Sequence, residues 1–103
     1  MILLQEIHRG ADWRYQIDAD YDIHAETTTF RLGTTRAKVA AGGTPDLYAT
    51  VTWGAYTGGH TVGAFMFQDT DTAGLSLGLY YWEVISTGSD VTHLGRGEVQ
   101  VIL

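Results

Sequence analysis

Apolar and polar residues alternate with a period of two along most of this chain. The clearest stretch is residues 11–18, in which every second residue from Ala11 to Ile17 is apolar and the residues between them are polar. That pattern is typical of an antiparallel strand with one buried face. Six further stretches have the residues and spacing of strands: 1–7, 27–32, 48–53, 61–68, 79–86 and 91–103. Short strands at this spacing predict an all-β sandwich or small barrel of about seven strands.

Two of the predicted strands, residues 61–68 and 79–86, carry apolar side chains on both faces. Such strands are usually central in their sheet or covered by a partner. On the faces that we expect to point outward, four apolar residues are candidates for a buried subunit interface: Phe65, Phe67, Tyr81 and Ile85. A contiguous exposed apolar area on a monomer would call for such an interface.

The segments between the strands are rich in turn-forming residues, and some of them allow a more specific prediction. Residues 87–90, T-G-S-D, separate two strong strands and predict a hairpin. Gly95 and Gly97 predict a bulge within the last strand. Residues 71–75 are the one helix candidate, whereas residues 33–41 either extend the preceding strand or form a loop.

Length, charge and cysteine content narrow the class of protein. The chain has 103 residues, enough for one domain with its own core, which we place at residues 1–103. Its net charge is −6, and no Lys or Arg occurs between Lys38 and Arg96. Because phosphates and anionic lipids bind clustered cations, nucleic acid and membrane surfaces are disfavoured as partners. The absence of cysteine excludes a disulfide framework and a thiolate zinc site. The opening MILLQEI is too short, and too soon interrupted, for a signal peptide or a membrane span.

An acidic run, Asp18, Asp20 and Asp22, begins like a calcium loop of the EF-hand type. Such a loop needs glycine at its sixth position and a bidentate glutamate at its twelfth. Ile23 and Thr29 occupy those positions here. A solvated acidic turn between strands is therefore the favoured interpretation, and cation binding stays open.

The local motifs of several enzyme classes are missing from this sequence. Asp69 and Asp71 lie on one turn, so they cannot flank a bond from opposite sides as the carboxylates of glycoside hydrolases do. They are expected to form the turn and to cap the short helix. The serines lack a G-x-S-x-G elbow, and no P-loop occurs. The four histidines have no metal-binding spacing: His8, His24, His60 and His93. Apart from the open question at the acidic run, we expect no enzyme, no cofactor and no metal. A hydrolase, the third hypothesis, would need carboxylates or histidines that converge in a cleft.

The aromatic residues suggest a second function. Exposed rings on β-sandwiches can stack on sugars, and Tyr56 in a glycine-rich loop is the best candidate for such a ring. Trp13 and Trp82 are expected instead in the core between the sheets. A carbohydrate-binding module is therefore the alternative function.

Three motifs point to a known family. They are R-G-A-D-W-R-Y at residues 9–15, D-T-A-G-L-S-L-G-L-Y-Y-W-E-V at residues 71–84 and L-G-R-G-E-V-Q-V at residues 94–101. Together they resemble the immunoglobulin-like N-terminal domain of phage baseplate upper proteins. The resemblance implies an immunoglobulin-like antiparallel sandwich.

Two residues of these motifs have specific expected roles. Tyr80 follows Gly78 by two residues and enters a core strand, which resembles a tyrosine corner, where the hydroxyl bonds back to the backbone. Arg96 is expected to pair with Asp90 or Glu83, and its family counterpart is a structural arginine.

The resemblance also implies a function. We expect a non-enzymatic structural component of a tailed-phage virion, in the tail, baseplate, neck or head surface, that assembles in the host cytoplasm. Its partners would be other virion proteins and further copies of itself. Since the chain stops at the last strand, we expect a free-standing version of the domain.

Overall fold

The computed structural model describes residues 6–23, 26–88 and 91–103. Within these ranges the chain forms eight strands and two short helices. In chain order they are β1 Glu6–His8, β2 Trp13–Ala19, β3 Thr27–Gly33, α1 Arg36–Val39, β4 Leu47–Thr50, β5 Thr52–Trp53, β6 Thr61–Phe67, α2 Asp69–Ala73, β7 Gly78–Thr87 and β8 Val91–Ile102. The all-β prediction is confirmed. The part of the first predicted strand at residues 1–5 lies outside the described residues.

The strands form two sheets that pack as a sandwich. The large sheet has the order β1-β8-β7-β3-β4, and the small sheet has the order β2-β6-β5. All pairs are antiparallel except β1 with β8, which is parallel. Strands β2, β6 and β5 take the places of B, E and D of an immunoglobulin-like sandwich, and β8, β7 and β3 take those of G, F and C. The strand order is therefore immunoglobulin-like.

The eighth strand arises because the predicted strand at residues 48–53 changes sheet. β4 belongs to the large sheet and β5 to the small one, with Val51 between them. The Val51 side chain is buried, and its N–H donates to the Thr28 carbonyl over 2.8 Å. The Trp53 indole N–H donates to the Thr28 hydroxyl over 2.8 Å. Thr28 therefore holds the chain at the crossing and immediately after it.

Aromatic side chains from both sheets fill the core, with Phe30 at their centre. Phe30 is fully buried, and its ring stacks on Phe65 with the centroids 4.4 Å apart. Trp82 stacks on it at 5.8 Å, and Trp13 meets it edge-on at 5.5 Å. Burial of these large apolar surfaces stabilises the sandwich, and the stacked and edge-on geometries add to it. The core positions predicted for Trp82 and Trp13 are confirmed, with Trp13 only partly buried.

Trp82 lies flat against the backbone of β8 at two glycines. A Cβ added at Gly97 would lie 2.8 Å from the indole nitrogen, and one at Gly95 would lie 3.3 Å from the ring. Val84 pairs with Gly95, but the next residue, Ile85, pairs with His93. Leu94, between these two partners, is therefore bulged. The predicted bulge is confirmed beside Gly95, whereas Gly97 pairs regularly and leaves room for the indole.

The chain enters β7 through a hydrogen-bonded corner. The Ser76 N–H donates to the Tyr80 hydroxyl over 3.0 Å, and the Ser76 hydroxyl lies 2.9 Å from the same oxygen. This contact has the form of the predicted tyrosine corner. Immediately before it, α2 begins at Asp69, two residues earlier than predicted. The Gln68 N–H donates to the Asp71 carboxylate over 3.0 Å, so Asp71 caps the helix as expected.

Residues 33–41 contain a helical turn that neither predicted alternative allowed for. The Thr35 hydroxyl accepts from the Lys38 N–H at the start of α1. The turn is tied to β3 because the Arg31 guanidinium donates to the Ala40 carbonyl over 2.7 Å. The Lys38 ammonium lies 2.8 Å from the Asp46 carboxylate. Together with the Thr34 N–H, this ammonium holds the pKa of Asp46 below its ordinary value.

Candidate protein-interaction face

Three of the four predicted interface residues are buried inside the domain. Phe65, Phe67 and Ile85 are 5%, 1% and 2% exposed. The fourth, Tyr81, is half-buried, and the Arg36 guanidinium lies 4.8 Å from its ring centroid. The prediction that these side chains form an outer surface is therefore wrong for the three buried residues.

On β6 the buried face is the opposite of the predicted one. Because β6 is apolar on both faces, its alternation alone does not say which face is inside. The buried set includes Phe65 and Phe67, which pack on Phe30 across the sandwich. Gly63 shares their phase, and a Cβ there would lie 2.6 Å from the Trp53 ring. The glycine was the one local signal that this face is closely packed.

The opposite side of β6 forms an exposed apolar row on the outer surface of the small sheet. Val62 is 48% exposed and Met66 is 38% exposed, with Ala64 exposed between them. Together with its neighbours on β2 and β5 this row makes a surface that we name the small-sheet face. Its members are Arg14, Gln16, Asp18, Thr52, Val62, Ala64 and Met66.

The strand register places the members of the small-sheet face in three rows across the strands. Arg14 lies beside Met66, and Asp18 lies beside Val62 at the other end. The middle row contains Gln16, Ala64 and Thr52. A shallow, open depression of about 920 Å³ covers much of this surface.

The two ends of the small-sheet face have opposite charge. The Arg14 guanidinium donates to the Met66 sulfur over 3.2 Å. The Asp18 carboxylate lies 3.1 Å from the His60 imidazole, and its side chain is 62% exposed. Both charges are accessible at the rim of an apolar row.

A smaller cleft of about 370 Å³ lies between β2 and β8. It contains Asp18 and Asp20 on one side and Arg96 on the other. Tyr21 also lines it, and burial, followed by the charges of Glu26 and Asp20, raises the pKa of that phenol. Among the described residues, no three His, Asp or Glu side chains converge as metal ligands would. Asp18 and Asp20 therefore share this cleft with the positively charged side chain of Arg96, and they do not form a set of metal ligands.

Two histidines of the described ranges pair with carboxylates. His60 contacts Asp18, and the His93 imidazole lies 2.6 Å from the Glu83 carboxylate. The carboxylate that was expected to pair with Arg96 thus contacts His93. The other expected partner of Arg96, Asp90, and the histidine at position 24 lie outside the described residues.

The aromatic ring proposed for sugar binding is accessible. Tyr56 is 46% exposed, in the loop that leads to the Thr57–His60 bridge. Tyr48 is 62% exposed on the outer surface of the large sheet. Trp53 does not join them, because its indole is bonded into the interior.

Comparison of the chain with models of known protein families and with curated proteins finds no match. Within residues 6–23, 26–88 and 91–103, no helix is long and apolar enough to cross a membrane.

Proposed function

We propose that this protein is a non-enzymatic structural component of a larger assembly and binds its neighbours through the small-sheet face. The observation that supports this is the row of Val62, Ala64 and Met66, exposed on the middle strand of a sheet. Contiguous exposed apolar side chains, unlike singly scattered ones, mark contact sites at a protein surface. The polar residues around the row match the polar rim that surrounds the apolar core of an interface.

The assembly that we propose is the virion of a tailed phage, in its tail, baseplate, neck or head surface. Support comes from the resemblance of residues 9–15, 71–84 and 94–101 to the immunoglobulin-like domain of phage baseplate upper proteins. In this chain those segments include the Tyr80 corner and the glycines under Trp82. The partners would be other virion proteins and further copies of the chain, assembled in the host cytoplasm.

A structural role also agrees with how the polar side chains are used. Asp71 caps α2, and Asp12 accepts from the N–H of Asp69 over 2.7 Å. Glu83 is buried against His93. These groups organise turns and strands instead of converging on a common point, as acid and base groups of an active site would.

The test measures how much of the chain is incorporated into phage particles. In a phage whose genome encodes it, the gene is deleted and restored as the wild type, as Met66→Asp or as Tyr56→Ala, and gradient-purified particles are analysed by quantitative mass spectrometry. We expect the wild type and Tyr56→Ala at a fixed copy number per particle, and Met66→Asp at a strongly reduced one, because the change places a charge in the contact. Equal thermal stability of the purified variants shows that folding is intact. Absence of the wild-type chain from particles contradicts the proposal.

The second candidate is a carbohydrate-binding module, which the exposed ring of Tyr56 favours. A glycan array probed with the purified wild type and Tyr56→Ala separates the two functions. Binding that the substitution abolishes would favour the carbohydrate module.

A further inference from the structure

The outward side chains of β2 run from positive through neutral to negative. They are Arg14, Gln16 and Asp18, at steps of two residues along one strand. At about 3.4 Å per residue, the two charged positions lie about 7 Å on either side of Gln16. The apolar row beside them is centred on Ala64, which pairs with Gln16. The small-sheet face therefore has its smallest apolar residue at the middle and opposite charges at equal distances from it.

From this arrangement we propose that the small-sheet face binds the same face of a second copy of this chain, around a two-fold axis. The proposal rests on the function proposed above and names the partner. The axis lies between the two faces and runs across the strands along the row of Gln16, Ala64 and Thr52. That rotation reverses the strand direction, so Arg14 of each copy meets Asp18 of the other. Met66 of each copy likewise meets Val62 of the other.

Charge complementarity is what favours a second copy as the occupant. A two-fold contact uses one surface twice, so the surface has to be its own complement. The order Arg14, Gln16, Asp18 meets this condition, since reversing it places each charge opposite its counterion. The reversed apolar row places Ala64 against Ala64, where two short side chains let the sheets approach.

The geometry of packed sheets is compatible with these pairs. Face-to-face sheets lie about 10 Å apart and cross at about 30°. At about 7 Å from the axis, that crossing displaces opposing residues by about 3.5 Å. The long side chain of Arg14 can span such a displacement, and its guanidinium now rests on Met66, at the edge of the apolar row.

The area of the two-fold contact is small, and this area limits the strength of association. Three strands at about 4.8 Å spacing and five residues at about 3.4 Å give a frame of about 10 by 14 Å. A standard interface buries about 800 Å² on each partner. Association of two isolated copies is therefore weak but measurable at protein concentrations of about 1 mM, and the contact becomes stronger where other contacts of an assembly hold the copies together.

Sedimentation velocity of the purified full chain over a range of concentrations tests the pairing by charge exchange. Arg14→Asp and Asp18→Arg each place like charges opposite one another twice, and each should weaken self-association about tenfold. The double variant Arg14→Asp/Asp18→Arg restores opposite charges and should recover the wild-type association constant. His60→Ala controls for loss of the intramolecular Asp18 contact and should leave association unchanged. A wild type that stays monomeric at every concentration, or a double variant as weak as the singles, would overturn the proposal.

Cross-linking tests the position of the axis without charge changes. Because the chain has no cysteine, single introduced thiols report one site each. The sheets lie farther apart than a disulfide spans, so a short bismaleimide is used. Gln16→Cys, on the axis, should give covalent dimers, whereas Tyr48→Cys, on the large sheet, should not. Equal yields from both variants would contradict the proposed axis.

The two proposals can fail separately. Charge-dependent association of a chain that is absent from particles would support the two-fold contact and contradict the virion function. Incorporation into particles together with failed charge exchange would contradict the two-fold contact alone.

Discussion

Replacing Gly97 by alanine tests whether the core depends on close contact between Trp82 and the backbone of β8. The new Cβ would lie 2.8 Å from the indole nitrogen and 2.9 Å from two ring carbons, where ordinary contacts measure 3.4–4 Å. Trp82 is only 5% exposed and stacks on Phe30, so its ring has little room to move away. The added methyl group therefore overpacks the core.

The expected magnitude follows from two opposing effects. Inserting a methyl group into a packed core costs about 1–3 kcal/mol. Replacing glycine by alanine stabilises by about 0.4–1 kcal/mol through the unfolded chain, where the backbone permits it. The backbone at Gly97 has no positive φ angle, so this gain applies. A contact of 2.8 Å is well below the ordinary distance, so the upper half of the overpacking cost applies, and the net expectation is a loss of about 1–2.5 kcal/mol. In a domain of this size each kcal/mol lowers the melting temperature by about 4–8 °C.

Urea unfolding of Gly97→Ala, with Gly95→Ala as the matched control, measures this loss. A Cβ at Gly95 comes no closer than 3.3 Å to the ring, so the ring has to give way less and we expect a smaller loss than at Gly97. In the Trp82→Phe background the smaller ring should relieve much of the cost at Gly97, giving a coupling energy above about 0.5 kcal/mol. Equal stability of the two alanine variants would refute the reasoning, as would the absence of coupling to Trp82.

Three further substitutions have expected outcomes. Tyr80→Phe removes the acceptor of the Ser76 N–H and should cost about 1 kcal/mol in urea unfolding, and an unchanged midpoint would contradict the corner's role. Phe30→Ala should cost about 3–5 kcal/mol, because the ring at the centre of the core is lost, and circular dichroism measures the lowered melting temperature. The Lys38 ammonium lowers the pKa of Asp46 below its ordinary value of 3.8. The ionised carboxylate therefore contributes fully to stability at pH values above 3.8, and this contribution is lost as the pH falls through the lowered pKa. Asp46→Asn should therefore destabilise the fold by less than about 1 kcal/mol at pH 7, and by progressively less as the pH falls below 3.8. Melting temperatures of the wild type and the variant at pH 7 and in acid measure this difference.

The strands and the Tyr80 corner could be predicted because their signals are local. Alternation with period two marks a strand wherever one face is buried, as along β2. The corner needs only a tyrosine two residues after Gly78, at the entry to a core strand. Helix α1 lacks a signal of this kind, because four residues are too few to show helical periodicity.

The remaining features depend on contacts between distant parts of the chain. Alternation continues without a break through residues 48–53, so nothing local marks the change of sheet at Val51. Which face of β6 is inside depends on where Phe30 of the other sheet lies. For the same reason the outward side of β6 is the opposite of the predicted one, and the small-sheet face is defined only by the packed structure.

The positions of the three tryptophans give the domain a built-in optical reporter. Trp13 and Trp53 belong to the small sheet and Trp82 to the large one, and all three pack into the layer between the sheets. No other residue type absorbs and emits in the same range with comparable strength, so intrinsic fluorescence reports on that layer. A state that kept its strands but separated its sheets would shift the emission to the red while the far-ultraviolet circular dichroism persisted. The docking of the two sheets can thus be followed separately from the formation of the strands, without an added label.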